Sequence, residues 1–246
     1  MITGKTKMAD LIHLNHKLLP VIGRFGISLG FGDSTVNEIC RKKGIETAFF
    51  LEVVNAFHDP DYYPQENLRQ FSLQLIVDYL RNTHRFYLDK KIPEIEEMIE
   101  AMIRDCYPGK EHIDLIKVFF GNYRKELIAH IEREEETVFP YALMVEEAFL
   151  KGSLTGEQRE QIRKRSMKDY QEEHDDIEEK LYDLKNIIIK YLPQPQDVSG
   201  CTHILYELFY LEQDINDHSR IEDKVLAPKV EQMEKVLLER YPLSDG

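Results

Sequence analysis

The sequence predicts an all-α protein: a small helical N-terminal domain followed by an antiparallel four-helix bundle. Long segments carry apolar residues at alternating steps of three and four, which is the helical period. No segment alternates with period two for long enough to predict a sheet. Short stretches rich in Gly and Pro separate the long segments. Long amphipathic helices on short connections favour up-down-up-down packing.

The N-terminal domain is predicted to cover residues 1–64. The stretch Asp33-Ser34-Thr35 is typical of a helix start, and Gly44 is typical of the end of that helix. A second short helix is expected at about residues 47–57. The stretch HDPDYYP that follows is rich in Pro and Asp, so we interpret it as the linker to the next domain.

The second domain, residues 65–246, is predicted to hold the four long helices. Pro93 is expected to kink or restart the first of them, because proline cannot continue the helical hydrogen-bond ladder. The connections DCYPGK, KGSLTG and LPQPQDVSG are short and rich in turn-forming residues. The four helices are expected at about residues 66–106, 113–150, 156–191 and 199–241.

The composition limits the classes of function. The chain has 32 Lys and Arg against 45 Asp and Glu, and this net charge of -13 argues against nucleic acid or an anionic membrane as the main partner. No apolar run approaches the roughly 20 residues that span a bilayer, and the N-terminus lacks the apolar region of a signal peptide. Cys40, Cys106 and Cys201 show no paired spacing, which fits a reducing compartment better than a disulfide framework. We therefore expect a cytoplasmic protein.

Each long helix has a core-facing row of residues that is apolar until it reaches a histidine. Two of these rows carry a glutamate one helical turn later. A carboxylate among apolar side chains must be neutralised, paired or bound to a cation, and no Lys or Arg stands at the same level to pair with it. Four imidazoles and two carboxylates at one level of a bundle suit two divalent metals, with each glutamate able to bridge them. The predicted metal ligands are His84, His130, Glu134, His174, His218 and Glu222.

An internal repeat supports this interpretation. The two His-x-x-x-Glu motifs start 88 residues apart, and the lone histidines His84 and His174 are 90 residues apart. A single histidine on an apolar face is most often an ordinary core residue, but four matching rows with repeated spacing favour a dinuclear site with pseudo-twofold symmetry. Five histidines outside the pattern are expected to have no metal role: His13, His16, His58, His112 and His203.

The residues around these histidines carry a family resemblance. The segments THRFYLDKKIPEI, HIEREEETVFP, EEHDDI and HSRIEDKVLAP resemble the four ligand-bearing helices of the hemerythrin-like HHE domain, over about residues 66–241. More narrowly, they resemble the di-iron proteins for repair of iron centres, also called iron-sulfur cluster repair proteins. The resemblance implies two non-haem iron ions with oxo and carboxylate bridges, held by the six residues named above. It also implies a role in resisting nitrosative and oxidative stress.

The N-terminal segment RFGISLGFGDSTVNEICRKKG resembles the small helical domain of the same family. That domain commonly carries two adjacent cysteines, whereas the aligned stretch here reads Leu29-Gly30-Phe31-Gly32. Cys40 falls in the following helix instead. The thiol chemistry of the family's domain is therefore not carried over to this chain.

Three functions are compatible with these residues. The first is protection or repair of iron-sulfur clusters, by iron donation or by handling NO, with damaged iron-sulfur proteins as partners and NO reduction as the candidate activity. The second is reversible binding or sensing of O2 or NO, and the third is iron buffering. The separate N-terminal domain favours contact with a partner and hence repair.

Two other metal proteins fit less well. A ferritin-like enzyme would carry Glu-x-x-His pairs, and no predicted ligand pair has that order. Zinc sites are usually mononuclear and tetrahedral, whereas six ligands indicate a paired site. The sequence leaves the oligomeric state open, with a homodimer among the alternatives.

Overall fold

A computed structural model describes residues 1–59, 61–62, 70–109, 111–172 and 177–241. The described residues form helices joined by turns and irregular segments, and the β-type pairing among them is an isolated bridge between Lys7 and Thr35. The all-α fold class is therefore confirmed. The predicted linker falls partly outside the described residues and stays a prediction.

Residues 1–59, all of which the structure describes, contain four short helices. Helix α3 begins with a capping box, in which the Glu38 carboxylate accepts from the Thr35 N–H at 2.8 Å and the Glu38 N–H donates to the Thr35 hydroxyl. It ends at Gly44, whose φ of 69° lies in the left-handed region that glycine adopts without strain. Both predicted ends of α3 are thus confirmed. The four helices are α1 (Met8–Leu14), α2 (Leu18–Arg24), α3 (Val36–Lys43) and α4 (Thr47–His58).

The long helices are interrupted more often than the sequence predicts. The predicted helix at 156–191 is wrong in its continuity, because it breaks at Arg165 and Ser166. The predicted start near residue 66 lies outside the described residues. The helices are α5 (Leu73–Phe86), α6 (Ile92–Cys106), α7 (Leu115–Arg133), α8 (Phe139–Lys151), α9 (Gly156–Lys164), α10 (Met167–Glu172), α11 (Ile177–Asn186), α12 (Val198–Ile221) and α13 (Ala227–Arg240).

Wide π-helical turns connect several of these α-helices directly, so that the helical path continues from one to the next. Three of the turns precede a proline that is the second residue of the resumed α-helix, namely Pro93, Pro140 and Pro228. Proline has no N–H to donate and its ring clashes with the carbonyl four residues earlier, so a wider turn accommodates it. The kink or restart predicted at Pro93 is therefore a π turn. The π turns are Tyr87–Lys91, Glu134–Val138, Ile187–Tyr191 and Glu222–Leu226.

The chain divides into two compact units. The first unit comprises residues 1–83, 142–168 and 220–246, and the second comprises residues 84–141 and 169–219. In the first unit, aromatic rings of the N-terminal region pack against the start of α5. Phe25 lies 5.0 Å from Phe50 and 5.1 Å from Tyr79 between ring centroids. The short N-terminal helices therefore share a core with α5.

Two buried carboxylates in the first unit cap helix starts. Glu146 on α8 accepts from the Leu73 N–H at 2.6 Å, and Glu234 on α13 accepts from the Met167 N–H at 2.8 Å. A helix N-terminus carries unpaired N–H groups and a partial positive charge, so it stabilises a carboxylate. The two caps are 88 residues apart, which is the spacing of the two His-x-x-x-Glu motifs. The internal repeat thus extends from the predicted ligands to the packing of the helices.

The second unit is a four-helix bundle. Helices α6, α7, α11 and α12 contribute to one hydrophobic core. Helices α6 and α7 run in opposite directions, because Glu96 pairs with Arg124 whereas Glu100, one turn further on, pairs with Lys117. Core residues include Ile95, Ile99, Phe120, Leu127, Leu181, Leu184, Leu208 and Leu211. Apolar residues predicted on the second, third and fourth long helices lie in this core, whereas Leu73, Val77 and Leu80, predicted on the first, belong to the first unit.

Candidate metal centre

Three predicted ligands from three different helical segments meet in the second unit. His84, Glu134 and His218 offer ligand atoms that lie within 4.8 Å of one another. His84 Nε2 lies 3.2 Å from Glu134 Oε2 and 3.2 Å from His218 Nε2. The three side chains are buried, with between 2% and 5% of each residue exposed. Their convergence requires the folded bundle, because 134 residues of sequence separate the two histidines.

Glu134 lies between two imidazoles. Its Oε1 is 3.1 Å from Nε2 of His130, which lies one helical turn earlier on α7, while its Oε2 faces His84. Burial by itself raises the pKa of Glu134, but hydrogen bonds from His130 and His84 outweigh burial and hold that pKa well below its usual range. Glu134 is therefore a buried carboxylate whose two oxygens face different histidines, which is the arrangement that a bridging ligand needs.

His130 occupies a different position from His84 and His218. It is buried and contacts Glu134, but it is not a member of the group whose ligand atoms lie within 4.8 Å of one another. Glu134 thus connects His130 to the other two histidines. Among the described residues, His130 therefore occupies a different place around Glu134 from His84 and His218.

The walls around these residues are mainly apolar. A narrow cavity of about 10 Å³ lies among them, which is roughly the space that one water molecule needs. Apolar walls exclude bulk water and so strengthen the attraction between a carboxylate and a cation. The cavity is lined by His84, Tyr87, Leu127, His130, Ile131, Ile177, Ile215, His218 and Ser219.

Two aromatic rings fix the histidine planes. Phe139 stacks on His84, with 5.4 Å between centroids and 9° between the rings, and Tyr87 meets His218 edge-on at 5.8 Å. Tyr87 opens one π turn and Phe139 directly follows another. Sequence reasoning missed both rings. The π turn before Phe139 rotates the residues that follow it away from the helical period, so spacing did not predict Phe139 beside His84. The proline after each motif was the available signal.

Two charged residues beside Glu134 were also missed. Glu135 Oε1 lies 2.9 Å from His84 Nδ1, and Arg133 Nη2 lies 3.2 Å from His130 Nδ1. In the run HIEREEE these residues read as a solvated helix face. The π turn that starts at Glu134 changes the period there, so spacing identified Glu134 but did not predict Glu135 beside His84.

The remaining predicted ligands stand as follows. Glu222 belongs to the first unit, is buried, and opens the π turn that continues α12 one helical turn after His218. His174 lies outside the described residues. Both stay predictions as ligands.

The absence of a metal role for the other five histidines stays a prediction. His13, His16 and His203 are exposed, and His58 is partly buried in the first unit. None of these four belongs to the described His and Glu group. The side chain of His112 lies outside what the structure describes.

The donor set suits a divalent first-row transition metal. Imidazole nitrogen and carboxylate oxygen together bind iron, zinc or manganese, and a cation stabilises a carboxylate that is surrounded by apolar side chains. The buried carboxylate of Glu134 and the facing nitrogens of His84 and His218 meet this requirement. The residues present therefore fit a metal centre.

Comparison with known proteins identifies the family. The model of the hemerythrin HHE cation binding domain matches residues 75–230, which is more than half of the chain, so the chain belongs to the hemerythrin HHE domain family. It is also similar to the iron-sulfur cluster repair protein ScdA of Staphylococcus haemolyticus (strain JCSC1435). The two are 16% identical over 232 residues, which cover 93% of this chain and 99% of that protein. Within the part of the chain that the structure describes, no helix has both the length and the apolar character to cross a bilayer.

Proposed function

We propose that the protein binds two iron ions and protects or repairs iron-sulfur clusters under nitrosative or oxidative stress. The observation that carries this proposal is the buried carboxylate of Glu134, which lies between the imidazoles of His84 and His130. Membership of the HHE family and the similarity to an iron-sulfur cluster repair protein support the choice of iron.

The described residues would bind metal at two neighbouring positions. His84, His218 and one oxygen of Glu134 face one position, and His130 faces the other oxygen. We assign His174 and Glu222 to complete the six-ligand set that the sequence predicts. Tyr87 and Phe139 hold the rings, and the apolar walls exclude water. Iron bound there would supply an exchangeable metal ion and a redox-active position for a diatomic gas.

The proposed partners are iron-sulfur proteins with damaged clusters, and the proposed small ligands are NO and O2. The three cysteines are free thiols, which supports a reducing compartment such as the cytoplasm. Repair by iron donation needs the site to release its metal to a partner, whereas handling of NO needs the gas to reach the metal.

The same donor set is compatible with a second candidate function, reversible binding of O2 or NO, because imidazole and carboxylate ligands hold redox-active metals that can take a small ligand. Gas binding would use the same ligands as repair. It would yield a protein with bound O2 or NO, whereas repair yields a restored iron-sulfur cluster.

A repair assay tests the proposal and separates it from gas binding. An iron-sulfur protein whose cluster has been damaged by NO is mixed anaerobically with the iron-loaded protein, and recovery of the cluster's visible absorption is followed. We expect recovery with the wild type and with His203→Ala, since His203 is exposed. We expect little recovery with His84→Ala, which removes a residue that contacts both Glu134 and His218.

The outcomes are distinct. Equal recovery with metal-free protein or with His84→Ala would show that repair does not depend on this site. NO binding by the iron-loaded protein without any cluster recovery would favour the gas-binding function instead.

A further inference from the structure

The two histidines that flank Glu134 are held by opposite kinds of group. His84 Nδ1 lies 2.9 Å from a carboxylate oxygen of Glu135, and His130 Nδ1 lies 3.2 Å from a guanidinium nitrogen of Arg133. A carboxylate accepts hydrogen bonds and a guanidinium donates them. The contact with Glu135 therefore requires a proton on Nδ1 of His84, whereas the contact with Arg133 requires Nδ1 of His130 to carry none.

His84 is held in the form that a cation needs. Its Nδ1 carries a proton and donates it to Glu135, so Nε2 is the nitrogen that becomes the ligand. That Nε2 already faces Glu134 and His218, each at 3.2 Å. Phe139 stacked on the ring holds its plane. A cation that binds at His84, Glu134 and His218 can bind Nε2 while Nδ1 keeps its proton and its contact with Glu135, so no side chain has to leave.

His130 is held in the opposite form. Its Nδ1 accepts from Arg133, so the ring's proton is on Nε2, which donates to Glu134 at 3.1 Å. Binding of a cation through Nε2 needs the proton on Nδ1, where the guanidinium now lies. The Arg133 contact must therefore break and the proton must pass from Nε2 to Nδ1, with the imidazole keeping one proton throughout.

We infer that the two metal positions fill in a fixed order. The first cation binds at His84, Glu134 and His218, where Glu135 has set the tautomer in advance. The second binds beside His130 with lower affinity, because it must displace Arg133. Glu135 and Arg133 are thus positioning residues with opposite effects. The inference rests on the proposed function, in that it takes this site to bind divalent metal.

The metal-free protein gives the first test, by long-range proton-nitrogen correlation spectra of the full-length chain. We expect a proton on Nδ1 of His84, and we expect His130 to carry its proton on Nε2. Arg133→Ala should let His130 exchange between its two tautomers. A proton fixed on Nδ1 of His130 in the wild type would overturn the inference.

Anaerobic calorimetric titration of the full-length protein with Fe(II) gives the second test. We expect two binding steps of unequal affinity. Glu135→Ala should weaken the first step by about 10- to 100-fold, as loss of a carboxylate behind a ligating histidine does elsewhere. Glu135→Gln should weaken it less, because the amide oxygen still accepts from Nδ1. The control Glu136→Ala changes the next residue, which is exposed, and should have no effect.

The arginine variant should act in the other direction. Arg133→Ala should strengthen the second step by about 10-fold, since the cation no longer displaces a charged hydrogen bond. Arg124→Ala removes an arginine of the same helix that pairs with Glu96 at the surface, and it should change neither step. A second step that weakens or stays unchanged in Arg133→Ala would overturn the inference. Two equal steps, unaffected by any variant, would overturn it and leave the proposed function standing, whereas no Fe(II) binding by any chain would overturn both.

Discussion

Glu134 and the buried lysines of the second unit show two ways of placing charge in a core. Lys91 contacts the Glu207 carboxylate and Lys185 contacts the Glu212 carboxylate, so each lysine has an opposite charge beside it. Glu134 instead contacts imidazoles, which can exchange a proton for a metal. The chemistry of the partner, rather than burial alone, distinguishes a candidate ligand from a structural ion pair.

Cys106 gives a residue-scale prediction about alkaline pH. Burial, followed by contact with Cys201, raises the pKa of the Cys106 thiol from 9.0 to about 12. A thiol whose folded pKa exceeds its unfolded pKa contributes stability that is lost as pH rises, here between about 9 and 12. The free energy of unfolding should therefore fall across this range. Urea unfolding at several pH values should show a shallower fall for Cys106→Ala than for the wild type, and parallel curves would contradict the assignment.

The contact between Cys106 and Cys201 could not be predicted from the sequence. Cys106 and Cys201 are 95 residues apart and showed no paired spacing, yet the structure makes them neighbours. Tyr107 lies 3.5 Å from the Cys201 sulfur at the same place. Contacts between the end of α6 and the start of α12 depend on how the bundle packs, which the spacing of single residues does not report.

At the scale of helices, the two capping carboxylates make a matched pair for mutation. Glu146→Ala and Glu234→Ala should each lower the free energy of unfolding by about 1 to 2 kcal/mol, because each removes a charged cap from a helix start. Glu147→Ala, a change to the exposed neighbour of Glu146, should stay within about 0.5 kcal/mol of the wild type. Chemical denaturation of the three variants makes the comparison. Equal stability of all three would show that the caps contribute nothing.

The helical period predicted the site residues that follow an ordinary α-helix but not those that lie within or after a π turn. His84, His130, Glu134 and His218 were found because an ordinary α-helix leads up to each of them, and all four are buried. Glu135 and Phe139 were missed because they lie within or just after a π turn, where one extra residue rotates the chain by about 100°. The break before α10 was missed because its cap, Glu234, comes from a distant part of the chain.

At the scale of the whole molecule, the N-terminal helices matter for the stability of the long ones. Within the first unit, Phe25 packs on Tyr79 of α5, and the Arg220 guanidinium donates to the Ala56 carbonyl near the end of α4. Arg220 lies two residues after His218 and two before Glu222. Within the first unit, the N-terminal region thus contacts both α5 and Arg220 at the end of α12.

Truncation tests this coupling. A chain that lacks residues 1–64 should melt about 10 °C lower than the full chain, because it exposes Tyr79 and removes the acceptor of Arg220. Differential scanning calorimetry of the two metal-free proteins makes the measurement. An unchanged melting temperature would show that residues 1–64 form the independent domain that the sequence predicts.

The internal repeat is the feature of the whole molecule that the sequence revealed most fully. A histidine, a glutamate, a proline and a capping glutamate recur 88 residues apart, from His130, Glu134, Pro140 and Glu146 to His218, Glu222, Pro228 and Glu234. The spacing of the ligands was sufficient to predict two related helix pairs. The roles of the prolines and of the capping glutamates became clear from the hydrogen bonds and π turns of the folded chain.

The most direct test of the account is the iron content of the protein after anaerobic loading. The full-length chain is incubated with excess Fe(II), desalted without oxygen and analysed for iron and protein. We expect two iron ions per chain for the wild type and for His203→Ala. We expect a clear loss of iron for His84→Ala, because His84 contacts both Glu134 and His218. Iron near zero in the wild type, or the same iron content in His84→Ala as in the wild type, would contradict it.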